Sequence, residues 1–392
     1  MTSEKLNLTE PDPNYSFSFV SSLNDVQRAE WNTLIDDDPF LSYEFLSALE
    51  RNDCLGEKYG WFPHHLTVRF NNKLVAATPL YIKTNSYGEF VFDWSWASAY
   101  EQAGINYYPK LISSIPYTPV TGKRLLLSPE LNVAQKSRLI SEMIQFTISE
   151  SEKLNMSGTH WLFNDTDECD YFKRQGLMFR LGCQYHWHNH NYDSFDHFLE
   201  NFISRKRKKI KQERRYVKEQ NIEINRLHGN ELDEAQWNQV HALYENTFHR
   251  KSGIPTLSLN FFKEIGSTMG EKIMLVLSYS ENRLVACAIN FASSQKLYGR
   301  FWGCTQSFHS LHFEACYYQG IEYAIENKLK IFEPGAQGEH KISRGFLPAK
   351  TWSAHAIHDA RFESSIRDFC NREKQYMQHD CEQLMTLSPY HN

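Results

Sequence analysis

The sequence predicts an α/β fold built from two tandem copies of one unit. Length is the first observation behind this, because 392 residues exceed what one hydrophobic core usually supports and two units of fewer than about 200 residues are expected. Self-similarity is the second. "NNKLVAATPLYIK" (Asn71 to Lys83) and "ENRLVACAINFAS" (Glu281 to Ser293) each place an Asn-containing turn before an apolar β-run whose small residues, Ala76 and Ala77 or Ala286 and Cys287, admit a close neighbour. The third is that the flanking elements recur in the same order.

A strand precedes each turn, "HLTVRF" from His65 to Phe70 and "KIMLVLSYS" from Lys272 to Ser280, so each pair reads as a β-hairpin. An aromatic strand is expected next, "EFVFDWSWAS" in the first copy and "KLYGRFWGC" in the second. A long helix follows, "AQKSRLISEMIQFTISESEKL" or "HFEACYYQGIEYAIENKL", with apolar residues at helical spacing such as Leu139, Met143 and Phe146, or Ile321, Ala324 and Ile325. Each helix runs into a short strand, "HWLFND" (His160 to Asp165) or "KIFEPG" (Lys330 to Gly335). The expected units are 15–183, 184–360 and a helical tail over 361–392.

Composition narrows the function. A formal net charge of -5 gives no global basic field for nucleic acid or a membrane. The eight cysteines contain no C-x-x-C pair and read as reduced small hydrophobes, neither a disulfide framework nor a zinc site. The segment "MTSEKLNLTE" has no apolar stretch, and apolar runs such as Ile273 to Leu277 fall far short of a membrane span. A soluble cytoplasmic protein without stable membrane insertion is expected.

One segment departs from the overall acidity. From Arg205 to Lys218 nine side chains are cationic and only Glu213 is acidic, on a helix predicted over 204–220 with Ile210 and Val217 on its apolar side. Ser194 caps the apolar stretch ahead of it. Such a run is either a solvated face or an anion site, in which Arg205, Lys206, Lys208 and Lys209 would hold a diphosphate or an RNA backbone.

Chemistry concentrates in the second copy. Arg300 and Trp302 alternate on a strand, and Glu314, Tyr317 and Tyr318 share a helix face by their spacing. "FEPGAQGEHKISRGFLP" then gathers Glu333, Gln337, His340, Lys341 and Arg344 among Gly335, Gly338 and Gly345, which permit positive φ and close approach to a ligand. Burial would raise the pKa of Glu333 toward that of a useful base. A buried ion pair of Glu333 or Glu339 with Lys341 or Arg344 is the structural alternative, and a dipole-stabilising first-turn carboxylate is the alternative for Glu314. No G-x-x-x-x-G-K-[ST] phosphate loop is present. His186, His188 and His190 alternate, but no carboxylate or cysteine stands at a suitable local spacing, and no metal is expected there.

Several stretches carry a family resemblance: "SIPYTPVTGKRLL" (Ser114 to Leu126), "QYHW" (Gln184 to Trp187), "SRKRKKIKQER" (Ser204 to Arg214), "LYGRFWGC" (Leu297 to Cys304), "LHFEACYYQGIEYAIE", and "GAQGEHKISRGFLP" followed by "SAH". From about Ser16 to Phe369 the chain resembles the bacterial Fem-type (FemAB-like) family of peptidoglycan biosynthesis proteins and N-acyltransferases. That resemblance implies two tandem GNAT-type acyltransferase modules, each a mixed, mainly antiparallel sheet flanked by helices. It also implies a basic helix opening the second module, as Lys206 to Ile210 do here, and includes His186 and Trp187 in its pattern. Two departures stand out: the pyrophosphate-gripping Q/R-x-x-G-x-G/A is absent from "CTQSFHSLHF", and no long helical hairpin is inserted.

The function implied is an N-acyltransferase in which an amine attacks an activated ester or thioester. Glu333 or Glu314 would be the base. Arg300, Gln337, His340, Lys341 and Arg344 would orient the acceptor or stabilise the oxyanion, with His186, Trp302, Tyr317 and Tyr318 around the substrates. No tightly bound cofactor is expected; acyl-CoA or aminoacyl-tRNA would be a co-substrate held by the basic helix, and the partner an amine-bearing acceptor. The alternatives are a non-catalytic protein recognising a cell-wall precursor or other amine-bearing ligand and, from the basic segment, a nucleic-acid binder.

Overall fold

The computed structural model describes residues 15–250 and 253–391; the segment "MTSEKLNLTE" lies outside them. The first half contributes β1 (Tyr15–Val20), β2 (Trp61–Pro63), β3 (His65–Phe70), β4 (Lys73–Thr78), β5 (Tyr81–Lys83), β6 (Lys110–Ser113), β7 (Leu126–Leu127), β8 (Gly158–Asn164) and β9 (Met178–His188). The second contributes β10 (Glu223–His228), β11 (Ile273–Ser280), β12 (Arg283–Ala292), β13 (Lys296–Cys304), β14 (Ile331–Glu333) and β15 (Leu347–Ile357). A four-stranded sheet runs β1-β3-β4-β7, and an eleven-stranded sheet runs β10-β11-β12-β13-β14-β9-β15-β8-β6-β5-β2. Pairing is antiparallel except between β13 and β14 and between β6 and β8.

The two hairpins are one object built twice. Asn71 and Asn72 take φ of 49° and 65°, and Glu281 and Asn282 take 50° and 61°. A left-handed pair is what a two-residue turn needs to match the twist of its strands. Just before each turn the ladder slips by one residue, from Val68↔Ala76 to Arg69↔Leu74 and from Ser278↔Ala286 to Tyr279↔Leu284. Val75 and Val285 are thus the extra residues of matching β-bulges. Ser42 and Ser258, each preceded by Pro-x-Leu, cap helices Tyr43–Arg51 and Leu259–Met269 by accepting from the N–H of Phe45 and Phe261.

One expected strand is a helix. The end of "EFVFDWSWAS" opens helix Trp94–Gln102, with Trp96 and Tyr100 buried one turn apart. Phe90, Phe92 and Trp94 of the expected aromatic strand are exposed. Its place in the repeat is taken by β6, which pairs parallel with β8 as β13 does with β14.

The halves complete each other's sheet. β9 pairs on one side with β14 of the second half and on the other with β15, while β15 pairs with β8 of the first half. Gly182 faces Thr351 at the centre of the β9–β15 ladder; His186 faces Leu347 the same number of steps to one side as Met178 faces His355 to the other. A local two-fold therefore passes through the Gly182–Thr351 pair. The cores follow the strands: Ala354 of β15 is buried with Leu66, Leu139, Met143 and Trp161 of the first half, whereas Tyr185 and Trp187 of β9 are buried with Leu297, Tyr318, Ile321 and Phe332 of the second. The expected unit boundary between 183 and 184 falls inside β9, and helix Ala360–Met385 occupies most of 361–392.

Candidate active site

β13 and β14 run side by side only from Lys296↔Ile331 to Tyr298↔Glu333. Beyond that point β13 continues to Cys304 while the other chain leaves through Pro334 and Gly335, and the parallel strands splay. A cavity of about 270 Å³ opens in the splay, near the lower end of the range for ligand sites. Its walls include six residues singled out in the sequence, Arg300, Trp302, Tyr317, Gln337, His340 and Lys341. Asn290, His312 and Cys316 also line it and were not singled out.

Arg300 is placed by a bulge. The β12–β13 ladder passes from Ile289↔Phe301 to Asn290↔Gly299, so Arg300 is the unpaired extra residue, a position that re-aims a side chain. Its guanidinium donates to the Tyr117 carbonyl and the Thr118 hydroxyl, both within the "SIPYTPVTGKRLL" stretch of the first half. Burial pulls its pKa down to about 10, so it remains a cation at neutral pH.

Lys341 is nearly inaccessible, 3% exposed, and donates to the Gly335 carbonyl at 2.8 Å. Burial lowers its pKa to about 8, which leaves it mainly protonated at pH 7. No carboxylate lines the cavity, so the positive charge of Arg300 and Lys341 there is uncompensated by its walls. His340 Nε2 lies 2.9 Å from the Tyr317 hydroxyl. Burial, then Arg344 and Lys341, hold the His340 pKa below its ordinary value, so the ring is neutral at pH 7. The glycines of this loop all take positive φ, and at Gly338 (114°) a Cβ would lie 2.5 Å from the His340 ring. Only glycine fits there.

Several expected site residues lie elsewhere, for identifiable reasons. Glu314–Tyr318 is a π turn, so Glu314, Tyr317 and Tyr318 do not share the face that regular helical spacing predicts. Tyr317 faces the cavity. Glu314 accepts from Arg214 at 2.9 and 3.0 Å and from Gln319 at 2.8 Å, and Tyr318 donates to Glu213. Arg344 does not reach the cavity either: it donates to Glu213 at 2.7 Å and stacks on Phe313 with its guanidinium carbon 3.4 Å from the ring centroid. Glu314, Tyr318 and Arg344 thus fasten the basic helix, Ser204–Glu219, to the second half.

Glu333 is buried behind the cavity without lining it. One oxygen accepts from Lys296 at 3.0 Å; the other has no hydrogen-bond partner and stands 4.0 Å from His186 Nε2. The ion-pair alternative holds for Glu333 with Lys296 as the partner, not Lys341 or Arg344. His186 is buried, bonds Gln184 Oε1 at 3.2 Å and has its pKa lowered by burial. His188 and His190 are exposed, and among the described residues no group of three His, Cys, Asp or Glu side chains is placed to hold a metal.

On the basic helix, Arg205, Lys208 and Lys209 are exposed and Lys206 is half-buried. None lines the cavity. The helix is nevertheless joined to the cavity's own loop through Glu213 and Arg344.

A model of the family described as FemAB-like, peptidoglycan biosynthesis/recognition, matches residues 22–392. The chain belongs to the FemAB-like family. No functionally curated protein matches this FemAB-like chain. Among solved structures it resembles FemX, with a TM-score of 0.54 at 11% identity over 87% of this chain and 98% of that one. It also resembles the C-terminal domain of a putative lysylphosphatidylglycerol synthetase from Agrobacterium fabrum, with a TM-score of 0.51 at 8% identity over 85% and 91% of the two chains. L-PGS from Bacillus licheniformis gives 0.50 at 8% identity over 86% and 98%. The likeness is one of fold: two tandem GNAT-type modules, in mixed α/β sheets rich in antiparallel pairs. No helix among the described residues is long and apolar enough to cross a membrane.

Proposed function

We propose that the FemAB-like protein is an N-acyltransferase that moves an acyl or aminoacyl group from an activated donor to an amine, with the chemistry in the cavity between β13 and β14. The observation that carries this is a half-enclosed site walled by two cations, a neutral histidine and no carboxylate. An amine nitrogen attacks the donor's carbonyl carbon and the carbonyl oxygen becomes an oxyanion. Lys341 and Arg300 stabilise that charge, usually the largest catalytic contribution. His340, held by Tyr317, takes the proton from the attacking nitrogen in place of the carboxylate base that the sequence suggested. The carbon–oxygen or carbon–sulfur bond to the leaving group then breaks, and the leaving atom collects a proton.

The family description favours an amine on a peptidoglycan precursor as acceptor. One protein of like fold is named as a putative lysylphosphatidylglycerol synthetase, and this favours an aminoacyl donor over acetyl-CoA. The exposed cations of the basic helix would hold the phosphates of such a donor.

The test is transfer from radiolabelled aminoacyl-tRNA, and separately from acetyl-CoA, to an amine-bearing peptidoglycan precursor. Label in the acceptor with wild type, lost in Lys341→Met and His340→Gln, is expected with the tRNA donor. Binding of the precursor with no transfer from either donor would favour the recognition reading.

A further inference from the structure

A second hollow adjoins the candidate active site. Ala336 and Gln337, at the tip of the loop that closes the cavity, also line a groove of about 320 Å³ on their other side. Its walls are mainly apolar: Phe90, Phe92 and Phe163 of the first half, Leu181 on β9, Trp352 on β15 and Met377 on the C-terminal helix. It lies against the local two-fold, since Gly182 and Thr351 form part of its floor.

Two features distinguish it from an incidental crevice. Phe90 and Phe163, both lining it, hold φ of 61° and 56°. Bulky residues rarely adopt this left-handed conformation, which persists where the surroundings enforce it, often at ligand sites. Phe163 does so inside β8, where the β8–β15 ladder shifts register.

The second feature is charge. Arg180 is the one cation among the lining residues, and Glu373 takes its guanidinium through bonds of 2.6 and 2.7 Å while its remaining nitrogen donates to the Phe92 carbonyl at 2.8 Å. The pair braces two walls of the groove and leaves no free charge in it. At the rim, Phe90 and Phe92 are 40% and 47% exposed, with Tyr87 and Trp94 exposed in the same segment. An exposed aromatic cluster of this kind marks a site of apolar contact.

We propose that this groove holds the hydrocarbon chain of an amphiphilic acceptor, whose amine reaches the cavity past Ala336 and Gln337. The proposal rests on the reading of the cavity as the transfer site. The chain is assigned to the acceptor because a donor's phosphates need cations, and those lie on the cavity wall and the basic helix, outside the groove. A mainly apolar trough whose one ion pair is satisfied internally favours the part of a substrate that carries no charge.

The experiment measures binding without turnover. Dodecylamine, butylamine and dodecanoyl-CoA are titrated below their micelle concentrations, read by calorimetry and by quenching of tryptophan fluorescence. Variants are Met377→Glu and Phe92→Ser, which alter the partly exposed groove wall, and Val133→Glu, an exposed change far from it. Saturable binding of dodecylamine with an affinity at least tenfold above that of butylamine is expected, weakened tenfold or more in the two groove variants and unchanged in Val133→Glu. Equal affinity for both amines, or equal weakening in Val133→Glu, overturns the groove. Binding of dodecanoyl-CoA that the groove variants abolish, with dodecylamine unaffected, overturns the assignment to the acceptor. Transfer to a short amine without any chain binding would sink this inference alone. Chain binding retained by a protein that transfers nothing would sink the transferase reading and leave the groove standing.

Discussion

Phe45 and Phe261, each three residues past the serine that caps its helix, meet edge to face with ring centroids 5.5 Å apart and an interplanar angle of 84°. They hold equivalent positions in the two halves and lie in one shared core, where Phe45 also meets Phe40 and Phe291 and Phe261 meets Phe262. Replacing either by Ala is expected to destabilise the protein by about 3–5 kcal/mol, the usual cost of removing a buried phenyl ring. Urea unfolding of both single variants and the double variant should show a coupling of about 0.5–1.5 kcal/mol. Strict additivity would mean that the two rings do not interact.

Lys341 is expected to set the alkaline limit of the proposed activity. Its pKa of about 8 means that the ammonium is present below that pH and lost above it. If the charge stabilises the oxyanion, kcat/KM falls as pH rises through about 8. The acid limb is expected from His340, whose lowered pKa would let it act as a base from below its ordinary range upward. Lys341→Arg should retain part of the activity and move the alkaline limb upward. Lys341→Met should lose about 10²–10³-fold in kcat.

Glu333→Gln separates the base that the sequence suggested from the one proposed in the cavity. Glu333 does not line the cavity, so kcat should change by less than about tenfold, against about 10²–10⁴ for removal of a general base. Its ion pair with Lys296 is buried on the carboxylate side, so lower thermal stability is the expected effect. A loss of activity as large as that of His340→Gln would return Glu333 to the chemistry.

Removing one member of the Glu213–Arg344 pair leaves the other buried and unpaired. Both are under 10% exposed, and Glu213→Ala should cost about 3–5 kcal/mol. Arg344→Met added to Glu213→Ala should recover part of that, as measured by denaturant unfolding.

The exposed cations of the basic helix should govern tRNA affinity and its salt dependence. Replacing Arg205, Lys208 and Lys209 by Gln is expected to weaken binding and flatten the plot of log affinity against log salt by about 1 for each phosphate that is no longer neutralised. An unchanged slope would show that the helix is only a solvated face.

The hairpins were legible because two signals coincide within a few residues, a turn that tolerates left-handed backbone and an apolar run with small side chains. The matching "PFLSYEF" and "PTLSLNF" stretches, Pro39 to Phe45 and Pro255 to Phe261, are harder to recognise because a single capping serine is a weak signal outside its structural partner. "EFVFDWSWAS" misled because exposed aromatics at Phe90, Phe92 and Trp94 imitate strand alternation, whereas the buried pair Trp96 and Tyr100 follows the helix.

Within the site, the loop after Glu333 declared itself by composition, and Arg300, His340 and Lys341 do meet in one cavity. Glu314, Tyr318 and Arg344 lie outside that cavity for two reasons that regular helical spacing does not encode. One is the π turn, which sends neighbours to different sides. The other is that Glu213, the lone acid from Arg205 to Lys218, is the anchor for Arg344 and Tyr318.

The exchange of β9 and β15 bears on how the chain is made. During synthesis β8 and β9 emerge with the rest of the first half, but the strand that lies between them consists of residues 347–357. Until those leave the ribosome, β8 lacks one neighbour and β9 lacks both, leaving open edges of the kind that recruit other strands. A nascent chain halted between the halves is therefore expected to depend on chaperones and to remain sensitive to protease. Coexpressed fragments cut in the 251–252 region would each be incomplete alone and would recover a protease-resistant core only on joining.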